Sequence, residues 1–380
     1  MPDPHLPATT SRSPTTTSRS KAAHLLSLER FVPPYRYTQA EVVPWIRRWL
    51  EPMPEHARER LLAVYDTAGV ARRGSVVPIE EVFRPRGFEA KNDLYVQAAR
   101  EAGICLARAA LRGAGIPPAD IALIVSVSCT GFMIPAVDAY VADALSLGPR
   151  LARLPITESG CAGGVVGLAR ALDFLIANPS RAAVVLALEF SSLTFQDWDR
   201  SPANVISAAI FGDGGAAAVL VGAEHPRAQG PALARALDSE SLFYPASTEL
   251  MGFRLRDEGL QIILDKRLSP FVKQVVAGSV DGFLERRGLT RGDVQHFVLH
   301  PGGRRIIDAM AAELQLPPEA LDATQAVLAE HGNMSSVTVL FVLEELLRSR
   351  RPAPGEVGLL AAFGPGFGAE LMLLEFASRA

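Results

Sequence analysis

Cys161, His300 and Asn333 are the residues of this sequence whose types could carry covalent chemistry together. Cys161 lies in Thr157-Glu158-Ser159-Gly160-Cys161-Ala162-Gly163-Gly164-Val165, a run that follows an apolar segment and opens a helical pattern. Unpaired N–H groups and the dipole at a helix start favour a thiolate. Gly160, Ala162, Gly163, Gly164 and Gly167 let other backbone come close and leave room for a bulky acyl group. A thiolate attacks a thioester and keeps the acyl group, and an imidazole within hydrogen-bond reach activates it near neutral pH. Asn cannot ionise, so it offers a fixed N–H. With an imidazole N–H it makes an oxyanion hole, in which one donor is worth about 2.7–4 kcal/mol. Each residue also has a plainer use. A buried Cys is commonly just a small hydrophobe. His300 could cap a helix over 304–314, and Gly332-Asn333 is a common turn dipeptide.

The elements that must position these residues read as strands alternating with helices, an α/β pattern. His24 to Val32 reads as a strand, and Thr38 with Glu41 as a capping box that opens a helix. A long helix spans Asp93 to Leu111, and Ile121 to Ser128 is a buried strand. After Cys161, Leu168, Leu172, Leu175 and Ile176 recur at helical spacing until Asn178-Pro179 stops the pattern. A second buried strand runs from Ala183 to Phe190. An irregular stretch follows over 191–202, and Phe211-Gly212-Asp213-Gly214 leads into a strand over 216–221.

The second half repeats this plan. Shifted by 172 residues, Gly160-Cys161, Val165 and Leu168 fall on Gly332-Asn333, Val337 and Leu340. The same shift lays Ser128 on His300 and Gly131 on Gly303. Phe211-Gly212-Asp213-Gly214 matches Phe363-Gly364-Pro365-Gly366 at a shift of 152, so the first half carries an insertion of roughly 20 residues around 191–210. Matches in one order and register argue for a duplicated unit. Two such units packed about a pseudo-two-fold axis would bring Cys161 and Asn333 face to face, with His300 at the end of a neighbouring strand. That set fits decarboxylation of a malonyl thioester, whose carbanion is held as an enolate without a metal. It fits a papain-like protease less well, where the Asn orients the His.

Length and composition agree with this plan. The chain has 380 residues, of which 48% are hydrophobic, enough for two ordinary domains or one large duplicated one. A net charge of −3 and a pI of about 6.2 give no reason to expect nucleic acid or an anionic membrane. The three cysteines are too few for a disulfide framework, which fits a reducing cytoplasm. No uninterrupted apolar run reaches the ~18 residues of a transmembrane helix, so no membrane insertion is expected. No signal-peptide core stands at the start. No Cys/His cluster has ligand spacing, and Gly212-Asp213-Gly214-Gly215 lacks the ending of a phosphate loop. The chain divides into a Ser/Thr/Pro-rich tail over 1–22, expected to be disordered, a nucleophile-bearing half over 23–232 and a half over 233–380 that carries His300 and Asn333.

Six motifs in order closely resemble the type III polyketide synthases, the chalcone-synthase-like family. They are Ser128-Cys129-Thr130-Gly131-Phe132-Met133-Ile134-Pro135, Gly160-Cys161-Ala162-Gly163-Gly164, Phe211-Gly212-Asp213-Gly214, His300-Pro301-Gly302-Gly303, Gly332-Asn333-Met334-Ser335-Ser336 and Phe363-Gly364-Pro365-Gly366. The resemblance spans residues 25 to 375. It implies a thiolase-like duplicated αβαβα layered fold, a homodimer, and a cytoplasmic acyltransferase that needs no cofactor besides its CoA thioester substrates. It implies Cys161 as acyl carrier, with His300 and Asn333 driving malonyl-CoA decarboxylation and condensation.

The same resemblance makes Phe211 a gatekeeper between a CoA tunnel and the cavity. It places Thr130, Thr194 and Ser335 on the cavity wall, Pro365 in the C-terminal loop, and Arg60 among the residues that hold CoA phosphate. Ile262 falls where plant members carry a second gatekeeper phenylalanine, and Phe253 where they carry glycine. These departures favour a bacterial-type member that takes a fatty acyl starter to an alkylpyrone, alkylresorcinol or related phenolic. The initiating ketoacyl-ACP synthases share Cys, His and Asn, but carry His-Gln-Ala-Asn where this chain has His300-Pro301-Gly302-Gly303. A catalytically silent dimeric scaffold that binds lipid is the alternative of another kind.

Overall fold

A computed structural model describes residues 22–377. The tail assigned to residues 1–22 therefore lies, but for Ala22, outside the described residues. One nine-stranded sheet organises the chain. From one edge it runs His296–Leu299, Val357–Gly364, Gly368–Phe376 and Ala234–Phe243, then Ala23–Phe31, Asp213–Gly222, Ala182–Phe190, Ile121–Val127 and Ala152–Ile156. The two halves join through three antiparallel pairs, Ala23 with Ala236, His24 with Arg235 and Leu25 with Ala234.

Each half has the same order. Ile121–Val127 runs parallel to Ala182–Phe190, which is antiparallel to Asp213–Gly222. His296–Leu299 runs parallel to Val357–Gly364, which is antiparallel to Gly368–Phe376. The extra length of the first half also lies where the internal alignment puts it. Pro202–Ile210 is a helix between Ala182–Phe190 and Asp213–Gly222, whereas a short hairpin turn joins the equivalent strands of the second half.

The period of two in the strands divides the sheet's faces into layers. Leu123, Val125, Leu360 and Ala362 face a core shared with two helices, Gly163–Ala177 and Thr338–Ser349. Ile121 and Ile124 face outward onto the helix Phe88–Ala114. Leu359 and Ala361 face the other way, onto Leu268–Glu285 and Arg304–Leu314. The two halves of the one sheet thus cover the paired helices from either side, and the layers run helix, half-sheet, paired helices, half-sheet, helix, the αβαβα arrangement. The Thr38–Glu41 capping box forms at the start of Gln39–Trp49. Gly163–Ala177 ends where Asn178 turns out of the helix and its side chain donates to the Phe174 carbonyl. That helix, with the turn before it, is the one stretch among the described residues long and apolar enough to cross a bilayer, and it is mostly buried in the core. Its tight seat explains its glycines. A β-carbon on Gly163 would stand 2.5 Å from Val127, and one on Gly167 2.8 Å from Val185.

Candidate active site

Cys161 sits in a single three-ten turn, Gly160–Ala162, ahead of its helix. Gly160 has φ +49°, and a β-carbon there would reach 2.6 Å from Pro365. Gly364 presses on the same turn, where an added β-carbon would meet the Ser159 carbonyl at 2.5 Å and the Ala162 side chain at 2.7 Å. The C-terminal loop and the cysteine turn therefore fit together through two absent side chains. The Cys161 sulfur is buried, and burial pushes its pKa up to about 11, while hydrogen bonds from Ser335 and Asn333 pull the other way. The thiolate expected from the helix start is thus not the resting state. Loss of hydration outweighs what the turn supplies.

Asn333 occupies the equivalent place ahead of Thr338–Ser349. Its backbone N–H donates to the Ile210 carbonyl at 2.7 Å, and its carbonyl accepts from the Gly212 N–H at 3.0 Å. Its side-chain oxygen accepts from the Ser335 N–H at 2.8 Å and lies 3.2 Å from the Thr338 hydroxyl. With the oxygen so engaged, the carboxamide can turn only its NH2 toward the Cys161 sulfur.

His300 follows the strand His296–Leu299 and is tied to Ala361 through its backbone N–H at 2.9 Å. Three residues along from Ala361 stands Gly364, which touches the cysteine turn. The imidazole is 4% exposed, and neither ring nitrogen has a hydrogen-bond partner among the described residues. Burial alone drives its pKa down to about 3. His300 therefore does not cap Arg304–Leu314, whose first turn has no side-chain cap. An imidazole kept neutral with both nitrogens unengaged costs about 1–3 kcal/mol for each unsatisfied group.

A cavity of about 580 Å³ opens in front of Cys161. Thr130, Thr194, Phe211, Phe253, Ile262, Ser335 and Pro365 all line it with Cys161. Much of the wall is the hairpin Met251–Arg256 and Gly259–Leu264. Arg60 is not on that wall. It stands exposed on the helix Glu55–Thr67, because it falls on the solvent side of that helix. A second cavity of about 340 Å³ lies beside the His300 turn, lined by Ile210, Lys266, Gly302, Gly303, Arg304 and Arg305. Ile210 borders this second space and the next residue, Phe211, borders the first.

Two neighbours of the sulfur are missing from the sequence-based set. Glu189 is fully buried at the end of Ala182–Phe190. Its carboxylate accepts from the Ser336 hydroxyl, from the Thr130 hydroxyl at 2.8 Å and from the Cys129 N–H at 3.0 Å. Burial still holds its pKa above the usual carboxylate range, and its charge adds to the upward push on Cys161. The Cys129 sulfur lies 3.2 Å from the Ser335 hydroxyl. The signal for Glu189 was a lone acidic residue inside an otherwise apolar strand.

Family models agree with this geometry. Residues 21–225 match the N-terminal domain of chalcone and stilbene synthases, and residues 237–377 match their C-terminal domain. A 1,3,6,8-tetrahydroxynaphthalene synthase of Streptomyces peucetius is 36% identical over 350 residues, covering 91% of each chain. An alpha-pyrone synthesis polyketide synthase-like protein of Mycobacterium tuberculosis is 30% identical over 332 residues, covering 85% of this chain and 84% of its own. The solved structure of 1,3,6,8-tetrahydroxynaphthalene synthase from Streptomyces coelicolor A3(2) superposes with a TM-score of 0.88 at 30% identity, covering 94% of this chain and all of the other. The chain belongs to the chalcone and stilbene synthase family. Within it, the chain is a type III polyketide synthase, a decarboxylative condensing acyltransferase with a thiolase-like fold.

Proposed function

We propose that this synthase loads a fatty acyl group from CoA onto Cys161 and extends it with malonyl-CoA to an alkylpyrone, alkylresorcinol or related phenolic. One observation carries the reading: the sulfur, held by the Asn333 and Ser335 side chains, faces a cavity walled by Met251, Phe253, Leu255, Leu260, Ile262 and Ile263. That volume falls in the range of small-molecule sites, and an apolar wall suits an alkyl chain.

In the loading step the Cys161 sulfur bonds to the acyl carbon, and the bond between that carbon and the CoA sulfur breaks. The thiol proton leaves with CoA by way of His300. Malonyl-CoA then loses CO2, and the electron pair of the broken C–C bond forms an enolate. The His300 N–H and the Asn333 NH2 stabilise the enolate oxygen. The enolate carbon attacks the Cys161 thioester, and the sulfur departs for the next round. Written this way, the reaction needs no cofactor or metal beyond its CoA thioesters. Lys266, Arg304 and Arg305 around the second cavity supply cations suited to the CoA phosphates.

The same reading makes the enzyme a cytoplasmic homodimer. Ile134 is 102% exposed, and Phe132 and Leu154 are also exposed for large apolar side chains. Leu154 lies on the edge strand Ala152–Ile156. A second copy covering these residues would bury them.

The test is to incubate the full chain with malonyl-CoA and saturated acyl-CoAs of increasing length and identify products by mass spectrometry. Pyrones or resorcinols bearing the starter's alkyl chain are expected. Products made from malonyl-CoA alone, whatever starter is added, would overturn the starter assignment. A covalent acyl adduct surviving in Cys161→Ala would overturn the nucleophile.

A further inference from the structure

A buried arginine holds the turn on which the gate and the carboxamide both hang. Arg73, on the strand Arg72–Ser75, is 8% exposed and reaches the end of the helix Pro202–Ile210. Its Nη1 donates to the carbonyls of Ala208 and, at 3.1 Å, Phe211. Its Nη2 donates to the Ala209 carbonyl at 2.7 Å and to the Gln39 side-chain oxygen. The last carbonyls of a helix have no partner within it. Here four consecutive ones are taken from outside: Arg73 takes those of residues 208, 209 and 211, and the Asn333 N–H takes that of Ile210.

We propose that Arg73 is a positioning residue, whose guanidinium sets the Phe211 ring between the two cavities and the Asn333 carboxamide against Cys161. The inference rests on the role given above to Asn333 in decarboxylation. Three features support it. The fork of the guanidinium matches the spread of carbonyls at a helix end, and an ammonium cannot reach three of them from one point. Phe211 and Asn333 are bridged as in parallel strands, so a shift of Phe211 shifts Asn333 with it. Asp213, fully buried two residues beyond Phe211, stands close enough to bias the guanidinium's charge while it anchors Val76 and Ser192. Burial in this frame lowers the Arg73 pKa to about 10, still charged at neutral pH. Arg73 lines neither of the two cavities described above, but borders a third, small space of about 70 Å³ with Phe211 and Thr194.

The test compares Arg73→Lys, Gln39→Leu and Asn333→Ala with the native chain. Gln39→Leu removes one acceptor of the guanidinium without removing the charge, so it serves if Arg73→Lys fails to fold. Two rates are read on each: release of CO2 from malonyl-CoA, and formation of the covalent acyl adduct on Cys161. A merely structural arginine lowers both rates together, in step with the folded fraction. A positioning role lowers CO2 release by ten-fold or more per folded molecule while acyl loading stays near native, with Gln39→Leu changed in the same direction but less. If both variants keep the native ratio of the two rates, the proposal is overturned. If Asn333→Ala itself leaves CO2 release unchanged, the role given to Asn333 fails instead, and the outcomes are thereby told apart.

Discussion

Gly164 lies directly against Ser336: a β-carbon on Gly164 would stand 2.3 Å from the Ser336 carbonyl oxygen. The two helix starts, one carrying Cys161 and the other Asn333, thus meet through backbone, with no side chain between them. A carbonyl cannot rotate away as a side chain can. Gly164→Ala must therefore push the two turns apart, and overpacking of this kind costs about 1–3 kcal/mol or more. The expected result is a lower melting temperature and slower acyl loading per folded molecule. A variant with native loading and native melting would mean that the contact tolerates a methyl group.

Ser335 links the sulfurs of Cys129 and Cys161. Its hydrogen bond to Cys161 lowers a pKa that burial has raised. Hydrogen bonds to charged groups are worth about 1.5–3 kcal/mol, so Ser335→Ala should cut the thiolate fraction by about ten-fold or more. Iodoacetamide alkylation of Cys161 at neutral pH should slow accordingly. Exposed Cys105 is an internal reference in the same sample. Equal slowing at both cysteines, or none at Cys161, would contradict the hydrogen bond's role.

Much of this site is legible in the chain itself, for a physical reason. Where a turn presses on backbone or on a proline ring, only glycine fits, so the contacts of Gly164 and Gly364 with backbone and of Gly160 with Pro365 leave a mark in the sequence. Duplication then relates the two marks and pairs Cys161 with Asn333. Partners that act across long separations leave no such mark. Arg73 earns its burial from carbonyls more than 130 residues away, and any residue type can supply a carbonyl. Nor does the helix start reveal the state of the thiol, because hydration lost by Cys161 depends on everything packed around it. Arg60, exposed on the helix Glu55–Thr67, precedes Val64 and Thr67 at helical spacing, and both of these line the second cavity.

His300 ties the site to acid stability. Its pKa is about 3 in the folded chain, against 6.5 for a free imidazole. Between those values the unfolded chain binds a proton that the folded chain refuses, so stability rises with pH across the window and is lost as pH falls. The full span is worth about 5 kcal/mol. His331, lowered to about 4 by burial and by nearby Arg30 and Arg36, acts in the same direction. Denaturant unfolding midpoints should drop steadily from pH 7 to pH 4. His300→Gln should flatten that dependence by close to one proton, and an unchanged slope would show that the imidazole takes up its proton without unfolding.

Ile262 and Phe253 face each other across the hairpin Met251–Arg256 and Gly259–Leu264, and both line the cavity in front of Cys161. Directly opposed side chains on one face are in contact, so a larger group at 262 is pushed into the cavity rather than aside. Ile262→Phe should therefore shorten the room left for the growing chain. Each methylene in an apolar pocket changes discrimination by about ten-fold or more, so the product distribution should move clearly toward shorter starters or fewer extensions. With decarboxylation of malonyl-CoA assigned by the proposal to Asn333 and His300 rather than to this wall, CO2 release should stay near the native rate. Mass spectrometry of products beside CO2 release separates the two effects. An unchanged product distribution with normal CO2 release would show that the hairpin does not set chain length.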